Sequence, residues 1–223
     1  ASLAFLKKDV RHALTKGWTE ADMISSQLAI CAKLWGVVEV EKFLASGTSV
    51  WEYLEANTAA KKDAIKEALY SLMFGQLASK IEARLDLKVG KGEGKRFLQK
   101  ELIRLLYEAR QVEMNKILSA GFGDTCFGKR ILVNFDNNKK TAASIRSILA
   151  QQAQAVEMDL LLPVVKLAVE SNQYDVLLWQ HDGFSVVFRD KQRKELWKNR
   201  ISKVVESKAA EYGIVVSLEW KEL

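Results

Sequence analysis

Two aspartates far apart in the chain stand where predicted strands end or turn. Asp22 closes the short, partly alternating run 18–23. Asp182 lies in the tip Gln180-His181-Asp182-Gly183, between the apolar runs 176–179 and 184–188. An Asp-Gly pair flanked by such runs signals a hairpin, and many such pairs are nothing more than turns. Two carboxylates presented from separate strand ends can instead clamp two divalent metals roughly 3.5–4 Å apart, one activating an attacking oxygen and the other stabilising a leaving oxygen. A second set, Lys62, Lys66, Tyr70 and Phe74, recurs every four residues. On a helix that spacing makes a single stripe. Two ammonium groups a turn apart suit a triphosphate, and an aromatic a turn further on suits a base or sugar. The stripe also reads as a solvated lysine face with its aromatics in the core, as on many amphipathic helices.

These groups need elements to hold them. Residues 3–15 have apolar positions at helical spacing and predict a short helix. After the strand at 18–23, Ser25 or Ser26 is a good N-cap for a helix running to Gly36. Short helices are expected over 39–45 and 50–56. Thr58 then caps a long helix over 59–85 that Gly75 interrupts. The stretch Gly90-Lys-Gly-Glu-Gly94 lacks the preceding strand and the spacing of a phosphate-binding loop, and is read as a flexible basic connection. A helix over 96–118, a turn at 121–125, an extended segment 126–135 and a long helix over 141–171 containing Pro163 follow. Asp190 caps a helix that Gly213 ends, and 214–220 forms a last strand. The expected fold is α+β: a small antiparallel sheet with two carboxylate-bearing strands, packed against helices, and a mainly helical excursion.

A chain of 223 residues that is 48% hydrophobic, with one Pro and 12 Gly, can bury a substantial core. The balance of 34 Lys+Arg against 28 Asp+Glu gives +6, which suits a polyanionic partner without requiring one. Cys31 and Cys126 are the two cysteines and there are two histidines, which excludes a disulfide framework and a Cys/His zinc site and points to a reducing, intracellular setting. No apolar run approaches a membrane span, so no membrane partner is expected.

Taken in order, several stretches resemble the polymerase region of the DNA polymerase I family (family A). More loosely, they resemble the phage-type single-subunit RNA polymerases. Ala21-Asp-Met-Ile-Ser-Ser-Gln-Leu-Ala-Ile-Cys-Ala-Lys-Leu-Trp-Gly36 is similar to the family's first motif, Asp-Tyr-Ser-Gln-Ile-Glu-Leu-Arg followed by Ala and Gly. Lys62, Lys66, Tyr70, Phe74 and Gly75 are similar to its fingers-helix motif. Gly128-Lys-Arg130 resembles a Gly-Arg-Arg turn. Arg146 and Gln154, with Asp159 beyond, resemble the duplex-facing helix, and His181-Asp182 the third motif, His-Asp-Glu. The resemblance implies a palm sheet and helical fingers, with palm residues 1–36, fingers 37–120 and a second palm part 121–223. It implies that Asp22 and Asp182 are catalytic and bind two Mg2+ ions, that Lys62 and Lys66 hold a dNTP, and that Tyr70 stacks on it. Phe74 would lie near the templating base, Arg146 and Gln154 against a DNA primer-template, and His181 at the primer end.

Gln27 stands where the DNA enzymes of the family carry a Glu that blocks a ribose 2′-OH. With Tyr70 it implies a preference for dNTPs. The expected activity is template-directed transfer of dNMP from dNTP to a primer 3′-OH. The alternatives are a single-subunit RNA polymerase-like fragment and a catalytically vestigial nucleic-acid-binding module. The departures are Lys62 for Arg, which keeps charge but loses bidentate geometry, Ala29 for Arg, Ala150 for Asn, and Gly183 for the Glu of the third motif. The first motif begins at Ala21, leaving no room before it in this sequence for a thumb or exonuclease domain. Duplex grip is therefore expected from further polymerase domains or a processivity partner.

Overall fold

A computed structural model describes residues 14–179 and 182–223. The helix expected over 3–15 falls almost wholly outside these residues, and so does His181. In chain order the elements are β1 (Thr19–Met23), α1 (Ser26–Trp35), α2 (Val38–Ala45), α3 (Val50–Glu55), α4 (Lys62–Met73), α5 (Ala78–Val89), α6 (Glu93–Gln99) and α7 (Glu101–Ala120). There follow β2 (Phe122–Asp124), β3 (Arg130–Leu132), α8 (Asn138–Ser171), β4 (Tyr174–Trp179), β5 (Gly183–Phe188), a 3-10 turn (Lys191–Arg193), α9 (Lys194–Glu211) and β6 (Leu218–Glu222). The fold is α+β, with one four-stranded antiparallel sheet in the order β4-β5-β1-β6 and one small hairpin, β2-β3. No helix among the described residues is long and apolar enough to cross a membrane.

The chain divides into two compact units, 1–26 with 157–223, and 27–156. The first holds the four-stranded sheet. Alternation along β1 buries Thr19, Ala21 and Met23 and leaves Glu20 and Asp22 on the less buried face. The buried face packs through Phe184, Val186 and Phe188 of β5 and Trp197, Ile201 and Val205 of α9. Aromatic rings link the layer, with Tyr174 centred 6.0 Å from Phe188 and 6.1 Å from Trp197, and Trp220 edge-on to Phe184 at 5.9 Å. Such tilted and edge-on pairs use the ring quadrupoles as well as area. The buried Tyr174 hydroxyl donates to the Val164 carbonyl at 2.6 Å, as burial of a phenol requires.

In the second unit, α4 buries Ile65, Ala68, Leu69, Leu72 and Met73. A separate cluster of Ile117, Val133, Ile145, Ile148 and Leu149 lies beneath the β2-β3 hairpin and α8, with Trp35, Met114 and Ile131 packed on it. Gly123 is needed there. A Cβ at that position would come 2.4 Å from the Ile148 side chain.

Several boundaries differ from the sequence reading. The helix expected over 59–85 is two helices, because Gly75 takes φ +85 after Phe74 and the chain stays extended at Leu77 before restarting. Thr58 does not cap it. Its hydroxyl donates to Glu93, which also accepts from the Ala59 amide at 3.1 Å, and α4 begins only at Lys62. The helix expected over 96–118 is broken at Lys100, where ψ is 134. The glycine-rich stretch 90–94 is a short turn running into α6, with Glu93 and Gly94 buried. Residues 122–124, expected in a turn, are strand β2, since they pair with 130–132. The last strand starts at Leu218, later than expected.

Candidate functional site

The first group of predicted residues is built by β1 and β5. In their antiparallel register Asp22 is opposite Gly183, and the Met23 amide donates to the Asp182 carbonyl at 2.8 Å. Asp22 and Asp182 therefore occupy neighbouring positions at the same end of two paired strands, although 160 residues separate their numbers. Gly183 makes this approach possible. A Cβ there would lie 2.3 Å from Asp22 Oδ1 and 2.3 Å from the Ala21 carbonyl oxygen, so the Asp22 carboxylate lies across the glycine backbone. Both aspartates are half-buried. On the other side of β1, Glu219 of β6 is opposite Asp22 and is exposed.

Among the described residues no group of three or more His, Cys, Asp or Glu is gathered to hold a metal. A pair of carboxylates still fits magnesium. That ion dehydrates reluctantly and is held by one or two carboxylates with waters and substrate phosphates, seldom by an all-protein cage. The donor set here is oxygen only, from neighbouring positions at the same end of the paired β1 and β5. Asp22 and Asp182 are the residues that would hold it.

The second group lies on and near α4. Lys62 and Lys66 are exposed, while Tyr70 and Phe74 are half-buried. The aromatics are thus not core residues, and the buried side of the helix is Ile65, Ala68, Leu69, Leu72 and Met73. Each ammonium lies over a ring, Lys62 over Trp51 at 5.7 Å and Lys66 over Tyr70 at 5.5 Å. Such cation–π contacts are worth about 0.5–1 kcal/mol at exposed sites, enough to bias the lysines without removing their charge from solution. Gly75 brings a fifth predicted residue, Arg146, in. A Cβ on it would stand 2.5 Å from the Arg146 Cγ, so the stem of Arg146 crosses the chain immediately after Phe74. Gln154 is exposed about 12 Å further along α8 at 1.5 Å per residue. Gln27 is buried, 8% exposed, on α1.

Two other predicted motifs are committed internally. The Arg130 guanidinium lies 3.8 Å from the centre of the Phe122 ring and pairs with both Asp124 oxygens, at 3.0 and 3.1 Å, which holds the Asp124 carboxyl below its ordinary range. In the glycine-rich turn, the Gly94 amide donates to Asp86 at 2.8 Å, and this bond and one from the Gly92 amide lower the Asp86 carboxyl. A carboxylate of the protein itself thus takes these two amides, which a phosphate loop would turn to its ligand.

Three residues around these groups escaped the sequence reading. Trp51 sits under Lys62. Arg110, 1% exposed, donates to the carbonyls of Leu72 and Gln76 at the break between α4 and α5. Glu157, 1% exposed, accepts from the Ser26 hydroxyl at 3.2 Å. The last two share a signal. Arg110 continues the apolar series Leu102, Leu106, and Glu157 the series Ala153, Leu160, Val164, so each is a charge at a core phase of its helix.

No protein-family model matches the sequence, and no curated protein matches it. Solved structures do. One is the POL domain of Pol1 from M. smegmatis, in complex with DNA primer-template and dNTP, with a TM-score of 0.68 and 15% identity. The match covers 92% of this chain and 39% of that chain. This chain has a polymerase-like fold. At that identity the likeness is one of architecture, and it spans well under half the length of the polymerase it matches.

Proposed function

We propose that the chain is a template-directed DNA polymerase domain that transfers dNMP from a dNTP to a primer 3′-OH. The observation that carries this reading is the juxtaposition of Asp22 and Asp182 on paired strands. The polymerase-like fold supports it, and so do the exposed lysine pair and aromatics of α4. In functional terms residues 1–36 and 121–223 act as palm and 37–120 as fingers.

Asp22 and Asp182 would hold two Mg2+ ions, which would supply positive charge that lowers the barrier to attack on the α-phosphorus. In that reaction the 3′-hydroxyl gives up its proton to solvent, the bond from the 3′ oxygen to the α-phosphorus forms, the bond to the bridging oxygen breaks, and pyrophosphate leaves. Lys62 and Lys66 neutralise the triphosphate as point charges. Tyr70 stacks on the nucleotide, Phe74 borders the templating base, and Arg146, Gln154 and His181 contact primer and template. Gln27 is the residue that would exclude a ribose 2′-OH, which favours dNTPs.

Primer extension with Mg2+, comparing dNTPs with rNTPs, tests this. Asp22→Asn and Asp182→Asn are each expected to lose about a thousandfold in rate, about 4 kcal/mol of transition-state stabilisation. Extension that survives either change, or that prefers rNTPs, counts against the reading. Salt-sensitive DNA binding without any extension would mark a vestigial binding module instead.

A further inference from the structure

The turn that carries the chain from β1 into α1 is pinned at both ends. On its strand side the Met23 amide donates to the Asp182 carbonyl at 2.8 Å and the Ile24 amide to the Ser217 carbonyl at 2.9 Å. Ser25 then takes φ +53, a left-handed backbone that a residue with a Cβ adopts only where its surroundings require it. On the helix side, Ser26 is 2% exposed and its hydroxyl donates to Glu157, 1% exposed, at 3.2 Å. A carboxyl group so fully removed from water is costly unless hydrogen-bonded, so this bond offsets part of the cost of burying Glu157. Its position adds a second attraction. Ser26 opens a ten-residue helix with no acidic residue in its own first turn, and the positive end of the helix dipole favours a negative group there. Glu157, from α8, is the acidic side chain bonded to Ser26 there.

We propose that Glu157 is a positioning residue for Asp22. By fixing Ser26 it holds the strained Ser25 turn, and through the two amide bonds at Met23 and Ile24 it sets where the Asp22 carboxylate lies relative to Asp182. It touches neither substrate nor metal, and its functional consequence rests on the polymerase reading. Removing it lets the turn relax, so the carboxylate pair loses its register while the lysines of α4 are unaffected.

The test combines amide hydrogen exchange on the intact chain with a magnesium titration of primer extension. In Glu157→Ala, exchange at the Met23 and Ile24 amides is expected to quicken at least about tenfold, the scale of one buried hydrogen bond. The Arg189 amide, bonded to the Gln173 carbonyl at 3.0 Å elsewhere in the same unit, serves as the control and is expected to change little. The magnesium concentration for half-maximal extension rises and kcat falls, with the KM for dNTP unchanged. Glu157→Gln keeps an acceptor oxygen and restores both readouts to within about threefold. Should Glu157→Ala not fold, Ser26→Ala removes the same hydrogen bond and is read identically. Wild-type exchange at Met23 and Ile24, or equal acceleration at Arg189, overturns the proposal. Absence of extension by the wild-type chain defeats the polymerase reading alone, because the exchange comparison still decides the role of Glu157.

Discussion

At Gly183 the space for a side chain is already taken, by the Asp22 carboxylate and by backbone. Of the two 2.3 Å approaches that a Cβ would make, the one to the Ala21 carbonyl cannot be relieved by a rotamer change. The third motif of the family that the sequence resembles carries Glu here, so the substitution that would bring the chain nearer the motif is expected to harm it. Gly183→Ala and Gly183→Glu should each destabilise the fold by about 1–3 kcal/mol, the usual cost of overpacking, seen as a lower urea midpoint. Both should also lose more extension activity than that destabilisation explains at a temperature where they remain folded, because the Asp22 carboxylate must move. The antiparallel pairing of β4 with β5 was legible from the two apolar runs, although Gly183, read as part of the tip, is the first residue of β5. The closeness of β1 to β5 was not, since it depends on a pairing partner 160 residues away.

The helices read well from the sequence where apolar periodicity ran unbroken, and badly where it carried on through a break. Residues Ile65, Ala68, Leu69, Leu72 and Met73 of α4 and Ile81 and Leu85 of α5 keep nearly one phase, and a single Gly costs a helix only about 1 kcal/mol. What ends α4 is tertiary. Arg110 from α7 donates to the Leu72 carbonyl, which also accepts from the Gly75 amide at 3.1 Å, and at 3.0 Å to that of Gln76 within the break. Burial lowers the Arg110 pKa, yet the group stays charged at neutral pH. Arg110→Met keeps the apolar packing and takes the donor from both carbonyls, leaving Leu72 the Gly75 amide, for an expected loss of about 1–3 kcal/mol in urea unfolding. Because Phe74 and Gly75 lie in the segment so released, the KM for dNTP should rise as well, while Arg110→Lys, which retains one donor, falls between. A charge at a core phase of α7 was visible in the sequence, but not which carbonyls it would serve.

For the molecule as a whole, fold class followed from period and turn signals, whereas the order β4-β5-β1-β6 required pairings that no local pattern encodes. The same long-range bonds set how stability depends on pH. Amides of Gly94 and Gly92 lower the Asp86 carboxyl, Thr58 and the Ala59 amide lower Glu93, and Arg189 and Arg130 lower Asp175 and Asp124. A carboxyl with a depressed folded pKa contributes stability that is present above its unfolded value, about 4, and is lost as pH falls through the folded value. At the other end burial raises the Tyr174 hydroxyl. The unfolded phenol ionises first, near pH 10, so stability is complete below that value and falls as pH rises beyond it. Unfolding free energy is therefore expected to be nearly level from about pH 5 to 9 and to decline on both sides. Urea titrations across that range check it, with Tyr174→Phe as the discriminating variant. That change forfeits the bond to the Val164 carbonyl at all pH values but makes the alkaline decline shallower. An unchanged alkaline slope would place the titrating group elsewhere.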